Sequence, residues 1–166
     1  MKKLLMVILA LLLVLPAIGE VTYTRDLFTL FLRYNEIVGN DLPTIKKVED
    51  PQKGSEMDAY TISLNQFAAL VVQTKSGTNE IIETMVIASG DGSAISGVTI
   101  LQTIGAYCGA LGFIDKLDQS YTYLSEVGLF EDDALDGRLN TYDGEGYTIT
   151  FSQIKDIGLM FSAAIN

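Results

Sequence analysis

The amino-acid sequence predicts an α+β domain in two layers, an antiparallel sheet of about six strands with two main helices on one face. Three observations carry this prediction. Several runs alternate apolar and polar residues with period two, as a half-buried strand requires. Two longer stretches set their apolar residues at helical spacing. The elements follow in the order helix, three strands, helix or helices, three strands, which divides the chain into two α-β-β-β units.

In Thr24 to Val38, the residues Leu27, Leu30, Phe31, Tyr34 and Val38 fall on one side, with Arg25, Thr29, Arg33 and Glu36 on the other. This is an amphipathic helix, with Thr24 expected as its N-cap and Gly39 as its stop. Asn40 to Asp58, with Pro43, Pro51 and mixed charge, reads as a surface connection. Tyr60, Ile62 and Leu64 then alternate with Thr61 and Ser63. Phe67 to Thr74 is more continuously apolar, as an interior strand is. After a hairpin loop at Lys75–Asn79, Glu80 to Ala88 is the third strand. A helix is expected from about Ser93 to Ile114, and a shorter one from Leu117 to Val127. Leu117, Tyr121 and Leu124 form the apolar stripe of the shorter helix, and Gly128 ends it. Beyond an acidic loop, Glu131 to Asn140, strands are expected at Leu139–Tyr142, Tyr147–Ser152 and Gly158–Ile165, with a turn at Asp143–Gly146.

The phrase YTISLNQ, Tyr60–Gln66, returns as YTITFSQ, Tyr147–Gln153. In both, the first, third and fifth positions are Tyr, Ile and Leu or Phe, so each is a strand with one apolar face. Two origins fit: duplication of an α-β-β-β unit, or two strands sharing the same amphipathic vocabulary.

The N-terminus joins a positive pair, Lys2 and Lys3, to an uncharged apolar run, Leu4–Leu15, and to small residues at Ala17 and Gly19. This is the grammar of a secretory signal of bacterial type, residues 1–19, leaving residues 20–166 as a single α+β domain outside the cytoplasm, secreted or in the cell envelope. Retention of the segment as an anchor is the alternative; with cleavage, no stable membrane span is expected. The one cysteine, Cys108, cannot form an intramolecular disulfide. With 21 acidic against 11 basic residues the surface repels nucleic acid, which is excluded as a partner, and favours cationic partners or divalent ions. The absence of His removes the Ser-His-Asp triad, the Cys-His pair and the usual His-ligated metal sites, so an enzyme is not the expected reading.

Few stretches point to chemistry. SGDGSAISG, Ser89–Gly97, matches neither the dinucleotide nor the phosphate-loop spacing and reads as a strand-to-helix turn capped by Asp91 or Ser93. Ala94 to Ile114 carries no charge and includes Gly105 and Gly109 at the spacing of membrane helix dimers. Its Ile100, Leu101, Ile104, Cys108 and Leu111 gather on one side, with Thr99, Gln102, Thr103, Ala106 and Ala110 opposite, which predicts a core helix laid on the sheet. Cys108, within that stripe, is expected to be buried and inert. The acidic loop offers Asp132, Asp133, Asp136, Asp143 and Glu145 as carboxylates for calcium, although their order is not that of an EF-hand. No cofactor other than that calcium is expected. Tyr123, off the apolar stripe of its helix, is the tyrosine expected at an interface.

The function expected from these features is a non-enzymatic binding module that engages a protein partner through an exposed sheet face or edge. Two alternatives stand beside it. One is a carrier of a small apolar ligand in a pocket between the long helix and the sheet, lined by residues such as Ile100, Ile104 and Leu111. The other is a calcium-dependent domain using the acidic loop.

Overall fold

The computed structural model describes residues 23–166, so the expected signal segment and its cleavage site lie outside the described residues. The first predicted helix forms as α1, Leu27–Val38, and buries the predicted stripe Leu27, Leu30, Phe31, Tyr34 and Val38. Its N-cap is Asp26, not Thr24. The Asp26 carboxylate accepts the Thr29 backbone N–H at 2.8 Å, satisfying one of the donors that a helix start leaves free. Thr24 is buried instead, donating its hydroxyl to the Ala110 carbonyl at 2.8 Å and accepting from Arg33 at 2.7 Å.

The six strands are β1 (Met57–Asn65), β2 (Ala68–Lys75), β3 (Ile81–Ala88), β4 (Asn140–Gly144), β5 (Tyr147–Ile154) and β6 (Gly158–Ile165). They form one antiparallel sheet in the order β1-β2-β3-β6-β5-β4. Two three-stranded meanders therefore meet at their last strands, and the expected pair of α-β-β-β units is present in the topology. The repeated phrase does not map onto it. Tyr60–Gln66 lies on the first strand of its unit, whereas Tyr147–Gln153 lies on the second strand of the other. A duplicated unit would carry the phrase on equivalent strands, so the likeness is shared amphipathic vocabulary. Both copies do aim the same positions inward: Ile62 and Leu64 in one, Tyr147, Ile149 and Phe151 in the other.

Register sets a single inner face. Leu70 pairs with Ile62 and Val86, Val86 with Phe161, and Phe161 with Phe151, all of them buried. Because side chains alternate along a strand, Val71, Met85, Ser162 and Thr150 pair across the opposite face. There the apolar members Val71, Met85, Ile87 and Met160 are half-buried among serines and threonines. The β1 edge is partly closed by Gln52, which exchanges both backbone hydrogen bonds with Ala59. The other edge is the five-residue β4.

The long helix, α2, spans Ala94–Leu111. It is long and apolar enough to cross a bilayer, with a mean hydropathy of 1.4. Its second half is packed against its own chain: every residue from Thr103 to Leu111 is buried, including Cys108. The one-sided stripe expected from the sequence thus fails in this half, where Thr103, Ala106 and Ala110 are covered as well. The glycines explain how. Gly105 abuts Ser120 at the start of α3 (Ser120–Glu126), and Gly109 abuts Ile37 of α1. Toward the sheet, the Tyr107 hydroxyl lies 2.6 Å from the Thr84 hydroxyl and donates to the Thr84 carbonyl at 3.1 Å, so the buried polar group is satisfied.

Candidate binding site

The first half of α2 is covered far less than the second. Ser93 caps it, accepting the Ser96 N–H at 3.1 Å, while Asp91 accepts the Ser93 N–H at 2.9 Å. Hydrogen bonds from the Ser93 side chain and backbone N–H hold the Asp91 carboxyl down at about 2. The turn is therefore the capped strand-to-helix connection the sequence predicted. Past it, Ile95 and Val98 stand 76% and 56% exposed, a costly display for side chains of this kind.

Beside this half-helix lies an apolar groove of about 660 Å³. Ile100 and Leu101 of α2 form one wall, Leu129, Phe130 and Leu135 of the loop after α3 form another, and Ile154, Lys155, Asp156, Gly158 and Leu159 close the end. The floor is the junction of β3 and β6. Here Gly158, at φ 115°, leaves no room for a Cβ against the Ala88 carbonyl. A smaller cavity of about 200 Å³, between α2 and α3, shares Leu101 and Phe130 with the groove. Phe130 also stacks on Tyr121, with ring centroids 5.0 Å apart, and the two rings are 38% and 72% exposed. Large apolar side chains standing together in water are the usual mark of an interaction surface.

Among charged residues, Lys155 and Asp156 line the groove and Asp118 the smaller cavity, and the loop that forms one wall continues through Glu131, Asp132, Asp133 and Asp136, all exposed. Arg138 pairs with Asp136 at 2.9 Å, and among the described residues the one other ion pair is Lys53–Asp58. Asp118, Asp156 and the other carboxylates of that loop have no ion-pair partner among the described residues.

The residues expected to bind calcium are not gathered into one site. Asp132, Asp133 and Asp136 follow α3, whereas Asp143 and Glu145 sit at the β4–β5 hairpin. Asp136 is engaged by Arg138, and Asp143 accepts the Thr148 hydroxyl at 2.9 Å. Among the described residues no group of three or more such side chains is arranged to hold a metal ion.

Tyr123 is not the exposed tyrosine. It is 8% exposed, stacks on Phe113 and donates to the Tyr147 hydroxyl at 3.3 Å, and burial raises its pKa. The exposed one is Tyr121. The error has a physical cause: Leu117–Gln119 winds as a tighter 3-10 turn before α3 begins, which rotates the buried stripe onto Ser120, Tyr123 and Leu124. The ligand pocket expected between helix and sheet is likewise displaced. Ile104 and Leu111 are fully packed, and Ile100 alone of the three named residues lines the groove.

Comparison with protein-family models, with curated proteins and with solved structures finds no match to this chain in any of the three.

Proposed function

We propose that this chain is an extracytoplasmic, non-enzymatic binding domain that engages a protein partner through the apolar groove at the open end of α2. The stacked pair Tyr121 and Phe130, exposed between two apolar cavities, carries the reading. Aromatic side chains in that setting supply large contact area at little entropic cost and are common interface anchors. The expected export signal and the absence of His are consistent with an envelope binding role.

The test is a comparison of partner capture. A Tyr121→Ser, Phe130→Ser double variant removes the two anchors from the surface and is expected to keep a wild-type melting temperature within a few degrees. Proteins retained from an envelope extract by the wild type are expected to be lost by the variant. Equal retention by both, or turnover of a small substrate by the purified chain, overturns the reading.

A second reading keeps the protein partner but seats it on the outer face of the sheet. It is supported by the half-exposed run of Val71, Met85, Ile87 and Met160. A Met85→Lys variant that loses capture while the Tyr121, Phe130 variant keeps it would favour this second surface.

A further inference from the structure

We propose that the segment occupying the groove is a basic amphipathic helix of a protein partner. This rests on the groove being the binding surface, and adds what binds there.

The helical form follows from the walls. Both β3 and β6 are paired on each side along the strands that floor the groove, so it offers no free ladder of backbone N–H and C=O groups. An extended peptide would lose water from its backbone there without regaining hydrogen bonds. A helix satisfies its own backbone and presents side chains alone. The surface it meets is itself helical: Ile95, Val98 and Gln102 follow one another at helical spacing along the uncovered side of α2, with Tyr121 of α3 across from them. Two cavities sharing Leu101 and Phe130, about 660 and 200 Å³, give room for successive apolar side chains of such a helix, several in the larger and one in the smaller.

The basic character follows from the rim. Asp156 lines the larger groove and Asp118 the smaller cavity, neither with an ion-pair partner among the described residues, the exposed acidic run Glu131–Asp133 directly follows the groove residue Phe130, and Lys155 is the one basic side chain lining the larger groove. A helix with Lys or Arg beside its apolar stripe places those charges against the acidic loop. An acidic helix is repelled, and so is an anionic lipid surface.

The chain has no Trp, so a Trp-bearing synthetic peptide reports its own binding by fluorescence. Four probes suffice: an amphipathic Leu/Lys helix, its Leu/Glu counterpart, a Leu/Lys isomer scrambled to abolish the apolar stripe, and zwitterionic phospholipid vesicles. The Leu/Lys helix is expected to bind at least about tenfold more tightly than the other two peptides. Raising salt from about 0.05 to 0.5 M is expected to weaken it several-fold. Tyr121→Ser, Phe130→Ser is expected to weaken it at least about tenfold, and Asp132→Asn, Asp133→Asn to reduce the salt dependence.

Equal binding of the Leu/Glu peptide overturns the basic partner, and equal binding of the scrambled isomer overturns the helix; the groove reading survives either. Binding to vesicles in preference to every peptide replaces the protein helix with a membrane. Peptide binding indifferent to the Tyr121, Phe130 variant overturns both the inference and the groove on which it rests.

Discussion

A Cβ placed on Gly105 collides with the Cβ and hydroxyl of Ser120. The contact lets α3 lie against α2 at a distance that any side chain would forbid, and it positions Tyr121, the next residue, on the smaller cavity beside the groove. Gly105→Ala is therefore expected to destabilise the fold by about 1–3 kcal/mol, the range for overpacking a tight interface. Ser120→Gly in the same chain removes both colliding atoms and is expected to recover part of that loss. Thermal unfolding of the two single variants and the double variant checks it, with strictly additive effects as the contrary result.

The Asp58 carboxylate is nearly fully covered and gathers the loop before β1 onto the β2–β3 turn. It accepts the Gly77 N–H at 2.9 Å and the Ser76 hydroxyl at 3.3 Å, with Lys53 at 3.6 Å. The Gly77 hydrogen bond leads in lowering its pKa below the ordinary 3.8. A group whose pKa is depressed on folding stabilises the native state above its unfolded value and loses that contribution as pH falls through the folded one. Stability is thus expected to drop as pH falls below about 4, and the drop is expected to be shallower in Asp58→Asn. Asp91, held at about 2, acts in the same direction and leaves a residual slope. Melting temperatures between pH 5 and pH 2 measure both; identical slopes in wild type and variant would remove Asp58 from the account.

Cys108 is fully buried in α2, and burial pushes its thiol pKa up. Labelling by a thiol reagent requires the thiolate and access, so the native chain is expected to react at least about a thousandfold more slowly than in denaturant, as opening a core helix costs much of the global stability. Rapid labelling under native conditions would mean that α2 opens locally.

The Tyr34 hydroxyl is buried with no hydrogen-bond partner among the described residues, and burial pushes its pKa up to about 12. Removing a polar group that makes no bond relieves its desolvation. Tyr34→Phe is expected to be neutral or to stabilise by up to about 1 kcal/mol. A loss of that size in a denaturant titration would contradict it.

Element type and order were legible because they rest on period: alternation at Tyr60–Leu64 and Tyr147–Phe151, and helical spacing at Leu27–Val38. What the residues did not disclose depends on long-range neighbours. Asp26 outcompetes Thr24 as a cap because Thr24 is drawn to the Ala110 carbonyl, far away in sequence. The exposed aromatic pair escaped notice because a single 3-10 turn shifts the phase of α3, and because Phe130 meets Tyr121 only after the chain reverses at Gly128. The acidic loop was visible as composition; that it walls an apolar groove was not.

The pairing of β3 with β6 joins the first meander to the last strand in chain order. A polypeptide synthesised from its N-terminus delivers β1, β2 and β3 long before residues 158–165 emerge, and until then β3 offers an unpaired flank. Completion of the sheet is in this way postponed until the last residues are made, which leaves β3 open to wrong pairing for the whole of that interval.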